Sequence, residues 1–100
     1  MATSKIQKIN STELLREDVQ IATGLTIAAN SVLGATQSKD ASKSGYTALG
    51  IVSTKSNNNS INFLRCEITT SGVIFARVSN PTSAQISDVS ITATVLYIKN

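Results

Sequence analysis

The chain has 100 residues, 41% hydrophobic and only 15% charged, a size that fits one domain. With no His and a single Cys, it cannot form a Ser-His-Asp or Cys-His catalytic site, a structural zinc site or an intrachain disulfide. Nine scattered basic residues, two Tyr and two Phe do not indicate nucleic-acid binding, and no apolar run is long enough to insert into a membrane. We therefore expect a protein that is not an enzyme and uses no metal or cofactor.

The N-terminal residues 1–18 differ in composition from the rest of the chain. Asn10 or Ser11 could cap a short helix, with Glu13 in the capping-box position after Asn10. Two interpretations stay open: a frayed tail, or a docking arm that orders on a partner. In the second, the apolar side chains that contact the partner would be Ile6, Ile9, Leu14 and Leu15.

From residue 19 onward, apolar residues alternate with polar ones, which predicts β-strands. The first predicted strand, "VQIATG", ends at Gly24, and the second, "LTIAANSVLG", ends at Gly34. The polar segment 35–45 predicts either an exposed functional loop or disorder. A third strand begins at Tyr46, and the glycine within it, Gly50, predicts a bulge or the close approach of another backbone.

The middle of the chain predicts an antiparallel hairpin. "SNNNS" at 56–60 is a turn by composition. After it, Ser71-Gly72 forms a tight turn that joins the strand in "INFLRCEITT" to the strand "VIFARVSN". In the first of these strands Leu64, Cys66 and Ile68 face one way, and Phe63, Arg65 and Glu67 the other. We expect a charge pair between Glu67 and Arg77 across the hairpin, before Asn80-Pro81 ends the second strand.

The last strand, within "ISDVSITATVLYIKN" at 86–100, is apolar on both faces near its end. An edge strand of this kind would be an aggregation hazard, so the pattern predicts that other strands or another copy of the chain cover it. The strand "VIFARVSN" shares this two-sided character. Because a single small sandwich has only one interior, we expect a homo-oligomer whose interface includes Phe75, Val95, Leu96, Tyr97 and Ile98.

Short strands separated by regularly spaced turns are typical of sandwiches and barrels. The predicted fold is all-β, a small antiparallel β-sandwich (jelly-roll-like) over residues 19–100, preceded by the N-terminal arm over 1–18.

Three stretches of the chain, "GYTALGIVS", "ARVSN" and "VLYIK", resemble the C-terminal β-sandwich module of bacteriophage tail-fibre and related virion proteins. The resemblance covers roughly residues 20–100. The residues that match are Gly45, Tyr46, Leu49, Gly50, Val52, Arg77, Val78, Asn80, Val95, Leu96, Tyr97 and Lys99.

The resemblance implies a homotrimer with strands packed around a three-fold axis, located in the virion and assembled in the host cytoplasm. It implies a fibre tip, spike tip or baseplate component that contributes to host attachment. The short segment before the sandwich departs from the long stem usual in fibre proteins. This departure leaves open a capsid or tail decoration protein. Its N-terminal arm would anchor it to other virion proteins, and it would have no ligand of its own.

Host attachment would use the loops at 35–45 and 55–60, with a host-surface saccharide as the ligand. The candidate sugar contacts are Tyr46, Asn57, Asn58 and Asn59, because amides and a ring face suit saccharide hydroxyl and C–H groups. The alternatives are that the asparagines form a turn and that Tyr46 is a core or subunit-interface residue. A further hypothesis is a free carbohydrate-binding module of a cellular enzyme complex, which predicts a monomer with an aromatic platform, and the sequence has no Trp.

Overall fold

The computed structural model describes residues 13–100. These residues are 68% β-strand and form no helix, so no described helix could span a membrane. The predicted all-β class is confirmed. The strands in chain order are β1 (Leu14–Ile27), β2 (Ser31–Val32), β3 (Gln37–Asp40), β4 (Tyr46–Ser56), β5 (Asn62–Ile68), β6 (Val73–Asn80) and β7 (Ile86–Lys99).

The strands form two antiparallel sheets that fit the predicted small β-sandwich. In sheet A, β7 lies between β1 and β4. In sheet B, β6 pairs with β5, and it also pairs with β2 and β3. The short strand β2 pairs with the end of β6 and β3 with its beginning, so together they follow β6 along its length.

The central strands β6 and β7 supply most of the core, because the inward face of each is apolar except for Asn80 at the end of β6. Since side chains alternate between the faces of a strand, the buried residues of β7 all point to one side of sheet A. Burial of each larger aliphatic side chain stabilises the fold by about 1.5–3 kcal/mol. The buried residues of these two strands are Ile74, Ala76, Val78, Asn80, Val89, Ile91, Ala93, Val95 and Tyr97. The C-terminal strand is therefore apolar because it is the central strand of its sheet.

The beginning of the described chain corrects one prediction. Leu14 and Leu15 do not continue a helix that begins near Glu13; they begin β1 and pair with Ile98 and Tyr97. Two helical turns would be unstable alone, whereas β7 offers a complete ladder of hydrogen-bond partners. The sheet thus begins within the segment predicted as an arm, and Ile6 and Ile9 lie outside the described residues.

Two glycines lie at register shifts in the strands of sheet A. Gly24, with a φ of 65°, does not end a strand: β1 continues through it with shifts in register as far as Ile27. The predicted strand 25–34 is therefore divided between the end of β1 and β2. The predicted bulge at Gly50 is confirmed by the register shift after Ala48. No atom lies within 4 Å of a Cβ added to Gly50, so close approach of another backbone is not its cause.

Segment 35–45 is shorter as a loop than predicted, because it contains strand β3 (Gln37–Asp40). Its remaining loop, residues 41–45, connects β3 to β4 across the end of the sandwich. The polar composition of β3 hid it from sequence analysis, since its side chains are mostly exposed at the edge of sheet B.

The predicted hairpin is present between β5 and β6, but its side-chain pattern differs from the prediction. A register shift between Phe63 and Arg65 turns the strand, so Phe63 joins Cys66 and Ile68 against the core. Leu64, at the bulge, is 55% exposed. The strict alternation predicted for β5 is therefore wrong at this point.

The predicted ion pair across this hairpin is also wrong. Arg77 lies opposite Arg65, and Glu67 lies opposite Phe75. The Glu67 carboxylate instead pairs with the Arg65 guanidinium on the same strand. Both side chains are more than half exposed, so the pair contributes little to stability.

Candidate functional site

The predicted ligand residues lie at opposite ends of the sandwich. Strand β4 has eleven residues and runs antiparallel to β7, from Tyr46 opposite Lys99 to Ser56 opposite Ile91. Eleven residues of extended chain span about 33 Å. Tyr46 therefore cannot share a binding site with the asparagines at 57–59.

Two of those asparagines are hydrogen-bonded to nearby backbone. The Asn57 Nδ2 donates to the Asp88 carbonyl at 2.9 Å, and the Asn57 Oδ1 accepts from the Ser90 N–H at 3.0 Å. The Asn58 Oδ1 accepts from the Ser60 N–H at 2.9 Å. Asp88, within β7, has a φ of 56°, so Asn57 supports a backbone conformation that a non-glycine residue seldom adopts. Asn57 and Asn58 thus have structural roles, whereas the Asn59 side chain is exposed.

A cleft of about 290 Å³ opens at the Tyr46 end of the sandwich. Its floor consists of Tyr46, Ala48 and Tyr97, and its walls are residues 42–44 of one loop and 70–72 of the hairpin turn. Ser42, Ser44, Thr70 and Ser71 are exposed and give the walls four hydroxyl groups. We call this feature the tyrosine cleft.

The floor of the tyrosine cleft is fixed by the ring of Tyr97. This side chain is 2% exposed, and its hydroxyl donates a hydrogen bond of 2.6 Å to the Ala41 carbonyl. The Tyr46 ring meets it edge to face, with centroids 6.4 Å apart and planes at 76°. Burial raises the pKa of Tyr97, so its hydroxyl stays protonated and continues to donate to Ala41 at neutral pH.

The walls of the tyrosine cleft are held together at Gly72. This residue has a φ of 92°, and a Cβ added to it would lie 2.8 Å from the Ser42 Cα. The Ala41 N–H donates to the Gly72 carbonyl at 2.8 Å. Sequence analysis assigned Gly72 to a tight turn but gave no sign that the neighbouring loop packs against it.

The one charged residue lining the tyrosine cleft is a lysine whose charge is largely balanced. The Lys43 Nζ lies 3.1 Å from a Glu17 carboxylate oxygen and 5.8 Å from the centroid of the Tyr46 ring. The second contact is within the range of a cation–π interaction. The cleft is therefore apolar below, hydroxyl-rich at its walls and close to neutral.

The residues predicted for the oligomer interface do not form one surface. Val95 and Tyr97 belong to the core of the single chain, with 0% and 2% exposure. Leu96 and Ile98 alternate with them and lie on the outer face of sheet A, and Phe75 lies on the outer face of sheet B.

The outer face of sheet A carries a group of apolar residues that do not pack against the core. Leu14 lies opposite Ile98 at its edge, and Leu96 lies opposite Gly50 of β4. Leu49 and Val52, at the two bulges of β4, are 52% and 46% exposed. We call Leu14, Leu49, Val52, Leu96 and Ile98 the outer apolar patch.

Leu15, in contrast, packs against the core opposite Tyr97, so it has a structural role within the chain. Leu14 alone of the two predicted docking leucines faces outward.

A buried amide at the opposite end of the sandwich joins the two sheets. Asn80 is 0% exposed, and its Nδ2 donates to the carbonyls of Ile27 and Ala84 at 3.0 and 2.8 Å. Its Oδ1 accepts from the N–H and the hydroxyl of Thr82. Sequence analysis identified Asn80-Pro81 as the end of a strand but missed this network, because the partner in the other sheet, Ile27, lies far away in sequence.

The acidic groups and the one cysteine of the described residues were also compared with the requirements of metal sites and thiolate nucleophiles. Within residues 13–100, no group of three or more His, Cys, Asp or Glu is placed to hold a metal ion. Cys66 is partly buried, and this burial raises the pKa of its thiol, so at neutral pH it is a packing residue and not a thiolate nucleophile.

Comparison with known proteins adds no relative: no family model, curated protein or solved structure matches this chain. The candidate functional surfaces of this chain are therefore the tyrosine cleft and the outer apolar patch.

Proposed function

We propose that this protein is a phage virion structural protein, a homotrimeric fibre tip, spike tip or baseplate component that contributes to host attachment. The observation that carries the proposal is the outer apolar patch. Its residues lie on the face of sheet A that is turned away from the core, with one charged residue, Arg16, opposite Leu96. An exposed group of apolar residues on a small domain marks an interaction site.

The polarity of the outer face changes along sheet A. Toward its other end, the Thr94 hydroxyl donates to the Asp18 carboxylate at 2.6 Å, and the Lys55 Nζ lies 3.6 Å from the same carboxylate. Thr94 is thus part of a polar, solvated surface, whereas Leu96, two residues further along β7, is apolar. The apolar part is confined to the end where the chain terminates in Lys99 and Asn100.

Copies of the chain are the occupants that this arrangement favours. Three protomers with β7 facing a common axis would bury Leu96 and Ile98 of each copy against those of the others and leave Asp18 and Lys55 in water. This geometry agrees with the trimeric modules that the sequence resembles. It also accounts for the two-sided apolar character of β7: the inner face packs in the chain's own core and the outer face packs between copies.

The association state tests the proposal directly. We expect sedimentation of the full chain to give a mass near three times 10.5 kDa. Replacing both Leu96 and Ile98 by Thr continues the pattern of Thr92 and Thr94 on the outer face. Each replacement should reduce the favourable free energy of association by about 1 kcal/mol or more, because less apolar surface is buried. This double variant should be a folded monomer.

Leu64→Thr is the matched control, because Leu64 is 55% exposed but lies on β5 of sheet B, outside the outer apolar patch. It should remain trimeric. A wild-type chain that stays monomeric at micromolar concentration would contradict the proposal, as would a double variant that stays trimeric.

A second candidate function, a decoration protein anchored by its N-terminal arm, is favoured by the position of Leu14. This residue brings the chain into sheet A at the edge of the outer apolar patch. Deletion of residues 1–12 leaves β1 intact and tests the arm alone. Loss of virion incorporation with an unchanged association state would favour decoration, whereas normal incorporation would favour the first proposal.

A further inference from the structure

We propose that the tyrosine cleft is a binding site for a neutral pyranose sugar. The site lies within one protomer and is formed by the loop at 41–45, the turn at 69–72 and the ring of Tyr46. The role of this site in the attachment of a virion rests on the proposed function, whereas the binding of a sugar does not.

The chemistry of the lining matches the two surfaces of a pyranose. A sugar ring presents C–H groups on its faces and hydroxyl groups around its rim. Tyr46 and Ala48 give the cleft an apolar floor, and Ser42, Ser44 and Thr70 give its walls hydroxyls that both donate and accept hydrogen bonds. Aromatic surfaces with a few convergent polar groups are typical of small-ligand sites.

The electrostatics favour a neutral ligand. Lys43 is the one charged residue in the lining, and its ammonium lies 3.1 Å from the Glu17 carboxylate. A phosphate or carboxylate ligand would have to compete with Glu17 for that ammonium. No helix is present in the described part of the chain to add a positive N-terminal dipole.

The size and rigidity of the cleft favour a single sugar ring. Its volume of about 290 Å³ lies near the lower limit for small-molecule pockets. The Tyr97 hydrogen bond to Ala41 and the contact of Gly72 with Ser42 fix its floor and walls. A preformed site avoids the entropic cost of ordering loops around the ligand.

The test is a titration of the isotopically labelled full chain with the methyl glycosides of glucose, galactose and N-acetylglucosamine, followed by amide chemical shifts. We expect at least one of the three to bind with a dissociation constant of about 1–10 mM. The shifts should be concentrated in residues 42–48 and 69–72.

Two variants and a control define the site. Ser44→Tyr fills the cleft without removing an internal contact and should weaken binding at least about tenfold. Ser42→Ala combined with Thr70→Val removes two hydroxyls and should weaken binding several-fold. Asn59→Ala, at the far end of the sandwich, should bind as the wild type does, and the amide spectra of all three should show an intact fold.

Shifts confined to the cleft and lost in Ser44→Tyr would support the assignment. Absence of binding with all three glycosides would overturn it, and so would shifts centred on residues 57–60 or unchanged binding in Ser44→Tyr. The mass of the protein is measured separately. A monomer that binds sugar would contradict the trimeric virion proposal alone, and a trimer that binds none would contradict the cleft alone.

Discussion

At one end of β4, asparagine side chains hydrogen-bond the backbone of their own sandwich, whereas at the other end serine and threonine hydroxyls lie exposed around two tyrosine rings. Asn57, Asn58 and Asn80 are all bonded to backbone atoms within the chain. Ser42, Ser44 and Thr70, in contrast, surround an open cleft. Both ends look alike in composition, since both are polar loops rich in small residues.

The difference is that the amides at one end already have partners within the fold, whereas the hydroxyls at the other end remain available to the proposed sugar. An amide can replace missing backbone partners where the chain bends, and it is then held in place. The hydroxyl groups around the floor of the tyrosine cleft do not hold a bend of the backbone in this way. The asparagine amides therefore contribute to stability, and the cleft hydroxyls are the groups that the proposed sugar would contact.

The largest expected effect is at Asn80 in the asparagine end. Asn80→Ala leaves the buried Ile27 carbonyl and the part-buried Thr82 N–H without their partner, whereas the Ala84 carbonyl keeps the Thr82 hydroxyl as a donor. We expect a loss of about 3–4 kcal/mol in the free energy of unfolding, measured by denaturant titration. Asn59→Ala, on an exposed side chain at the same end, should change it by less than about 0.5 kcal/mol. Equal effects of the two substitutions would contradict the structural role of the buried amide.

The next effect is at Gly72 in the wall of the tyrosine cleft. A Cβ at this position meets the Ser42 backbone at 2.8 Å, and the φ of 92° is strained for any other residue. Gly72→Ala should cost about 2–3 kcal/mol in thermal or denaturant unfolding.

Gly34→Ala is the matched control for Gly72, because nothing lies within 4 Å of its added Cβ. It should be neutral, or stabilising by a few tenths of a kcal/mol, since alanine restricts the unfolded chain. If both alanine variants lost the same stability, the contact between the turn and the loop would not be the cause.

Sequence periodicity was sufficient to predict the sandwich but not the exact strands. The alternation in β6, and in β7 from Val89 onward, marks their buried faces correctly, because the residues there keep period two without interruption. It fails at Leu64 and across Gly24, where bulges shift the side chains and only the partner strand fixes the register. The short polar strand β3 carries no periodic signal at all.

The candidate site was predictable only in part. Tyr46 was identified as a candidate contact, and it lies in the cleft. Ser42 lies in the loop 35–45 that was predicted to bind, although it was not named as a contact. Thr70 was not predicted, because its turn meets that loop through the contacts of Gly72 with Ser42 and Ala41. Asn57 and Asn58 were candidates by residue type. The Asn58 hydrogen bond to Ser60 is local, as in the turn that composition predicts, but the Asn57 partners Asp88 and Ser90 lie in the distant strand β7.

The smallest effect concerns the Tyr97 hydroxyl beneath the cleft. Tyr97→Phe removes the hydrogen bond to the Ala41 carbonyl and keeps the ring, so we expect a loss of about 1 kcal/mol in the free energy of unfolding at pH 7. The loop at 41–45 should also exchange its amide hydrogens faster, because Ala41 is its anchor.

The pH dependence of this loss gives a sharper test. The pKa of Tyr97 is raised above its ordinary value of 10.0 by burial, so the native state binds the phenolic proton more tightly than the unfolded state. The stability that the hydroxyl contributes is therefore fully present below pH 10 and is lost as the pH rises through the higher native pKa. Wild type and Tyr97→Phe should converge in stability above pH 10. A difference between the two that stays constant from pH 7 to pH 11 would show that the Tyr97 hydroxyl is not buried in a hydrogen bond to the cleft loop.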